Sequence, residues 1–283
     1  MKNNYFWIII LLFISIFTPL YGETKSSNET LSKEPYIGAI VINASTGEVL
    51  FEENADAKGY PASVLKLMSL LIILEKIKEG VLKWEDQINI TAEAAKIGGS
   101  QVYLKENEVF TLDELLYAMM VQSANDAVTA IAIYIAGSKG AFVEWMNQKA
   151  KALGMNASQF HSIHGLPPGV GQLPDVTTAR DLSILARELL KYPDTLRYSS
   201  VRERGFRNGT FMMRNHNHLL WKFDGCDGMK TGYYKKAGYS IIATAKRHDF
   251  RVIAVILGCK SKKGRDDKAS ELLSKGFLHH IRK

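Results

Sequence analysis

The sequence predicts an α+β fold, an antiparallel sheet flanked by helices plus an all-helical subdomain. Three observations carry it. A β-branched hairpin stands near the start of the chain, three segments with strand character stand near its end, and helical signals dominate between them. The strands at the two ends are short and apolar or amphipathic. The economical arrangement is therefore one sheet built from both ends and covered by the first and last helices.

In order, Ile37 to Ile42 and Val49 to Glu52 flank the turn-like Asn43-Ala44-Ser45-Thr46-Gly47 and read as a hairpin. From Pro61 to Gly80 runs a helix whose first three turns are apolar on nearly every side, from Val64 to Leu74, which places it in the protein's interior. The stretch from about 84 to 175 reads as the all-helical subdomain, with Thr111 and Glu114 as a capping box ahead of Leu115 and Leu116. Another capped helix starts near Thr177 or Thr178, with Asp181 in its first turn. Gly228 to Tyr234, Tyr239 to Ala245 and Arg251 to Leu257 then form a meander. Gly264 to His279 closes the chain as a helix with Ala269, Leu272, Leu273 and Phe277 on one face.

Composition narrows the class. With 46% hydrophobic and 23% charged residues, 22 Gly and 7 Pro in 283, the chain is neither collagenous, coiled-coil nor disordered. Its 2 Cys, without a Cys-x-x-Cys or a His-rich tract, exclude a disulfide framework and a structural zinc site. Cys226 ahead of the first meander strand and Cys259 at the end of the third should lie at opposite ends of the sheet. That is beyond the roughly 7 Å limit between bridging Cα atoms, so both are expected to stay thiols. The apolar run from Tyr5 to Phe17 behind Lys2 suits a signal core and falls short of the roughly 20 residues that span a bilayer. Residues 1–22 are therefore expected to be a signal peptide, with an uncleaved N-terminal anchor as the alternative. Residues 23–35 form a polar lead and 36–283 a single catalytic domain. Losing Lys2 takes the net charge from +7 to +6. An exported, mildly basic protein meets anionic material, although charge alone does not choose between nucleic acid, a membrane surface and an acidic wall polymer. The basic residues are scattered and match no nucleic-acid module, so no nucleic-acid partner is expected.

Three polar constellations interrupt the apolar pattern. Ser63 and Lys66 lie one helical turn apart, so their side chains share a face. A serine hydroxyl needs a neighbouring base to become a nucleophile, and desolvation pushes a lysine amine toward its basic form. Taken alone, the pair equally describes an N-terminal helix serine and a snorkelling lysine. Ser123-Ala124-Asn125-Asp126 sits between two apolar runs and by itself describes a helix end and a fresh cap. Asp227-Gly228-Met229-Lys230-Thr231-Gly232 places a cation, a hydroxyl and a close backbone approach on a strand. That set suits an extended peptide ending in a carboxylate, or an ordinary exposed edge. His161 and His164 have the spacing of a metal pair but no third ligand signal, so neither metal nor cofactor is expected.

Taken together, a Ser-x-x-Lys, a Ser-x-Asn about sixty residues on and a Lys-Thr-Gly about a hundred further match the motif set of penicillin-binding proteins and serine β-lactamases. The chain resembles most closely the low-molecular-mass D-alanyl-D-alanine carboxypeptidases. The resemblance rests on Pro61-Ala62-Ser63-Val64-Leu65-Lys66-Leu67-Met68, Ser123-Ala124-Asn125-Asp126-Ala127, His164-Gly165-Leu166-Pro167, Thr178-Ala179-Arg180-Asp181-Leu182, Asp227 to Tyr233, Ala237-Gly238-Tyr239 and Lys263-Gly264-Arg265. It implies a β-lactamase/transpeptidase-like fold with the site at the junction of sheet and helical subdomain. It further implies that Ser63 is the acylated nucleophile, Lys66 its base and Ser123 the proton shuttle to the leaving amine. Asn125 would position the substrate amide. Lys230, Thr231 and Arg265 would contact the substrate carboxylate, with Gly232 beside them, and the N–H groups of Ser63 and Tyr233 would form the oxyanion hole. His216 stands where some relatives carry Arg.

The expected function is therefore a serine-type D-Ala-D-Ala carboxypeptidase of peptidoglycan stem peptides, periplasmic or otherwise extracytoplasmic, which binds β-lactam antibiotics covalently and needs no cofactor. The alternatives are a DD-endopeptidase on peptidoglycan cross-links, a β-lactamase, and a non-catalytic wall-binding module. No C-terminal amphipathic anchor is expected, and no Leu-Asn dipeptide occurs for the Glu-x-x-Leu-Asn motif of class A β-lactamases.

Overall fold

The computed structural model describes residues 35–281; the expected signal peptide and nearly all of the polar lead lie outside them. In chain order the elements are β1 (Gly38–Asn43), β2 (Val49–Glu53), a 3₁₀ turn (Ala62–Leu65) continuing into α1 (Lys66–Lys78), β3 (Gln87–Asn89), α2 (Ala92–Ala95), β4 (Val109–Thr111), α3 (Leu112–Tyr117) and a π-helical turn (Ala118–Gln122). Then follow α4 (Asn125–Ala136), α5 (Lys139–Ala152), α6 (Ala179–Leu189), α7 (Asp194–Ser199), β5 (Glu203–Phe206), β6 (Phe211–Arg214), α8 (Leu219–Lys222), β7 (Cys226–Tyr234), β8 (Gly238–Arg247), β9 (Phe250–Cys259) and α9 (Lys262–Ile281).

The main sheet has the order β2-β1-β9-β8-β7, antiparallel throughout. The two ends of the chain meet in its middle, where β1 pairs β9 from Gly38–Leu257 to Asn43–Val252. Strand periodicity then sorts the side chains. Ile40, Ile42, Ile253, Val255 and Leu257 face one core, while Ala39, Val41, Val252, Ala254 and Ile256 face the other together with Ala269, Leu272, Leu273 and Phe277 of α9. The outer cover is thus the expected terminal helix. The inner cover differs from expectation: α6 lies against β1 and β9, and α1 packs behind it against α5 and α6. A helix apolar all round has no polar face to turn to water, so it suits the centre between layers better than a layer itself. Cys226 opens β7 opposite Ala245 and Cys259 closes β9 opposite Tyr239, at opposite ends of the meander as expected.

The insert between α1 and α6 is mostly helical but not wholly so. β3 and β4 pair antiparallel as a short ribbon, and 153–178 is largely irregular. The Thr111–Glu114 capping box forms, each side chain bonded to the other residue's backbone N–H. A second ribbon, β5–β6, has no counterpart among the expected elements. Its turn uses Arg207, Asn208 and Gly209 at positive φ, so Asn208-Gly209 was the available hairpin signal.

Among the described residues no single helix is long and apolar enough to cross a membrane.

Candidate active site

A cleft of about 350 Å³ opens where the 3₁₀ turn, the start of α4, β7 and the start of α9 converge. Ser63, Ser123, Asn125, Thr231, Gly232, Tyr233 and Arg265 line it, and Lys66 and Lys230 stand behind the lining, each bonded to one of its serines. All nine residues singled out in the sequence therefore come to one place, from four separate segments.

Ser63 sits on the tight turn that leads into α1, and Lys66 is that helix's first residue, with 0% of its surface exposed. Lys66 Nζ is 2.9 Å from Ser63 Oγ and donates to the His164 carbonyl at 2.8 Å. Burial, followed by the charge of Lys230, pushes the amine well below the usual lysine range, against the opposing pull of Asp126 and Asp175. Burial thus favours the neutral amine, the form able to take a proton from Ser63.

Ser123 ends the π-helical turn in the left-handed region, φ 63° and ψ 30°, where a non-glycine residue is strained. Such turns and such strain concentrate at functional sites. The strained residue is fixed from both sides. Asn125 N–H donates to Ser100 O at 2.7 Å, and Asp126 accepts from the backbone N–H of Val102 and Leu104, tying the 100–104 loop to α4. Lys230, 2% exposed on β7, donates from Nζ to Ser123 Oγ at 2.9 Å and to Thr231 O at 3.1 Å. Burial and then Arg265 lower its amine to about 7.

Asn125 Nδ2 donates to Gly98 O at 2.8 Å, while its Oδ1 is buried with no partner among the described residues. A buried acceptor left open costs about 1–3 kcal/mol, and a ligand N–H in the cleft would recover it. Gly232 passes so near the nucleophile's turn that a Cβ there would lie 2.6 Å from Pro61 O and 3.0 Å from Ser63 N. Only glycine lets β7 run this close, with Tyr233 following directly. Arg265 occupies the first turn of α9 and is tied by Nε and Nη2 to Asp266 Oδ1 at 2.9 and 2.6 Å. With Lys230, Lys262 and Arg265 around it, the cleft is cationic and fits an anionic ligand.

His216 also lines the cleft. Burial, then Lys230 and Lys262, lowers its imidazole to about 4, so it is a neutral wall there and not a second cation. His164 is lowered further, to about 3, by burial and then Lys66. Its ring Nδ1 accepts the Leu166 N–H, and its carbonyl serves Lys66. Sequence reasoning missed that carbonyl, because a backbone acceptor leaves no mark in residue identity. It also missed Asp126 and Asp175 as the holders of the flanking loops.

The sequence model of the D-alanyl-D-alanine carboxypeptidase family matches residues 26–261. The chain is similar to the D-alanyl-D-alanine carboxypeptidase DacF of Bacillus subtilis, 36% identical over 245 residues that cover 86% of this chain and 62% of that protein. Among solved structures it is similar to the D-alanyl-D-alanine carboxypeptidase DacD of Francisella tularensis, at a TM-score of 0.80 and 31% identity over 85% of this chain and 70% of that one. It is also similar to penicillin-binding protein D2 of Listeria monocytogenes in its ampicillin-bound form, at a TM-score of 0.77 and 30% identity over 86% of this chain and 97% of that one. The chain spans between 60% and 67% of the length of three curated relatives it matches.

Proposed function

Because the chain belongs to the D-alanyl-D-alanine carboxypeptidase family, we propose that it is a serine DD-peptidase that removes the terminal D-alanine from peptidoglycan stem peptides through an acyl-enzyme on Ser63. The observation that carries the reading is the buried Lys66 amine, 2.9 Å from Ser63 Oγ and held well below its ordinary pKa, beside a cationic cleft.

In the neutral amine the same contact lets Ser63 Oγ–H donate to Nζ. Lys66 takes that proton as Oγ attacks the carbonyl of the penultimate D-alanine. The oxyanion is received by the backbone N–H groups of Ser63 and Tyr233, which the close approach of β7 brings together. The departing D-alanine nitrogen needs a proton, which Lys66 returns by way of the Ser123 hydroxyl. Lys230, Thr231 and Arg265 hold the terminal carboxylate. A bound carboxylate favours the charged form of Lys230, so substrate itself keeps that lysine cationic. Asn125 Oδ1 accepts the substrate amide N–H. Water, activated by the same Lys66 and Ser123, then frees the acyl group. A penicillin acylates Ser63 by ring opening, which leaves no departing amine, and its bulk keeps that water away. The apolar run from Tyr5 to Phe17 directs the chain out of the cytoplasm, to the side of the membrane on which its peptidoglycan substrate lies.

The test combines a labelled penicillin with two substrates. The wild-type chain should form one slowly released adduct on the peptide containing Ser63, and Ser63→Ala should form none. A pentapeptide should lose free D-alanine, read by mass. Cleavage of a cross-linked muropeptide in preference to the pentapeptide would make it an endopeptidase. Rapid penicillin turnover with both peptides untouched would make it a β-lactamase, and an adduct that persists in Ser63→Ala would refute the nucleophile.

A further inference from the structure

The irregular segment between α5 and α6 is organised around one carboxylate. Asp175, 6% exposed, accepts on Oδ1 the N–H groups of His161 at 2.6 Å and Ser162 at 2.9 Å, and on Oδ2 the Ser162 hydroxyl at 2.7 Å. The Ser162 oxygen in turn accepts the Gly165 N–H at 2.9 Å. Between those two residues lies His164, whose carbonyl receives Lys66 Nζ at 2.8 Å. The segment is pinned beyond Asp175 by Gln159–Val176 and Gly59–Thr177 backbone pairs. On the near side Gly165, at φ +76°, is pressed so closely on Ala62 that any side chain would run into the Ala62 carbonyl. An unbroken series of contacts thus runs from Asp175 through Ser162 and the 164–165 backbone to the lysine beside Ser63.

We propose that Asp175 is a positioning residue for the acylation step: through Ser162 and Gly165 it holds the His164 carbonyl against Lys66, which aims the amine's lone pair at Ser63 Oγ. The inference rests on the reading of Ser63 and Lys66 as the acylating pair. A neutral amine has two N–H bonds and one lone pair, and one N–H spent on a fixed carbonyl removes most of its freedom to turn. The carboxylate also acts at a distance. Its negative charge favours protonated Lys66, as does Asp126 on α4, while burial and Lys230 on β7 oppose it. Facing Asp175 itself are His161 from its own segment and Tyr234 from β7.

Asp181 supplies the comparison. It is 5% exposed and holds another turn of the same segment, accepting from Ala157 N–H at 3.0 Å and Ser158 Oγ at 2.7 Å, yet among the described residues neither contact leads on to Lys66. Asparagine at 175 would present Nδ2 where Ser162 Oγ now donates. The serine oxygen would then meet two donors, and the grip on Gly165 would loosen.

The experiment measures acylation by a fluorescent penicillin across pH for wild type, Asp175→Asn, Ser162→Ala and Asp181→Asn, with thermal melting of each. Asp175→Asn should slow the acylation step by about ten- to a hundredfold without weakening the preceding non-covalent complex. It should also move the acidic limb of the profile to lower pH, because a charge that favours protonated Lys66 has gone. Ser162→Ala keeps that charge and cuts the link, so it should slow acylation and leave the limb in place. Asp181→Asn should melt earlier while matching wild type in rate and limb. Wild-type acylation in Ser162→Ala, or an unmoved limb in a folded Asp175→Asn, overturns the proposal alone. A wild-type chain that takes no label overturns the acylation reading and this inference with it.

Discussion

Ser63–Lys66 and Ser123–Lys230 show the same contact, 2.9 Å from amine nitrogen to hydroxyl oxygen, but they are assembled in opposite ways. The first pair is local: one turn of one helix delivers both side chains, three residues apart. The second joins residues 107 apart, across the boundary between the helical insert and the sheet. Their electrostatics differ accordingly. Lys66 begins a helix buried on every side, and desolvation plus a neighbouring cation drives its amine well down. Lys230 lies on β7 close to the cleft and to Arg265, and is lowered only to about 7. Two lysines in one site thus divide into a group held toward its neutral form, available as a base, and a group that a bound anion readily keeps charged. This is how one protein environment supports a base and an anion anchor side by side.

The comparison breaks most visibly at the local pair. Lys66→Ala should slow acylation by about 10²- to 10⁴-fold, the loss expected of a general base, with the adduct still found on Ser63. If acylation survives within a few fold, Lys66 is not the base.

At the tertiary pair the effect should be smaller and should depend on the ligand. Lys230→Met removes a charge-assisted contact of about 1.5–3 kcal/mol, so kcat/KM for a D-Ala-D-Ala peptide should drop roughly 10- to 100-fold. The corresponding analogue lacking the terminal carboxylate should lose less. Equal losses for both would remove Lys230 from carboxylate recognition. In the wild type, KM for the peptide should rise as pH climbs past about 7, since the free enzyme's Lys230 then gives up its proton.

The same substitution should act in the opposite direction on stability. Between about pH 7 and the ordinary lysine value of 10.5 the unfolded chain holds a proton on Lys230 that the folded chain has shed, so this residue makes stability increase with pH across that window. Lys230→Met should abolish that slope and stabilise the fold near neutrality by about 1–2 kcal/mol, as replacing buried charge by apolar volume often does. Denaturant melts at several pH values would show it. A less stable Lys230→Met protein would mean that its contacts to Ser123 and Thr231 outweigh its burial. The smallest effect belongs to a site remote from both pairs. Thr111→Ala removes one half of the capping box at about 1 kcal/mol and should leave acylation unchanged.

Sequence by itself determined whatever one segment can encode. β-Branched content ahead of a turn marked β1, a change of period marked the meander, an apolar run marked the helix behind Ser63, and Thr111 with Glu114 marked a helix start, because each needs only neighbours along the chain to be recognised. Ser63 and Lys66 belong to this class, and the separate motifs around Ser123 and Lys230 were readable as words without a sentence. Tertiary structure alone decided that α6 and not α1 lies on the sheet, that a ribbon follows α7, and that Lys230 meets Ser123. It alone decided that a backbone carbonyl at His164, held through Asp175, closes on Lys66. The physical reason is common to all of these. Which layer a helix joins depends on what competes for the same face. A pKa depends on how much water the assembled fold removes, and a carbonyl acts through its position, which no residue letter records.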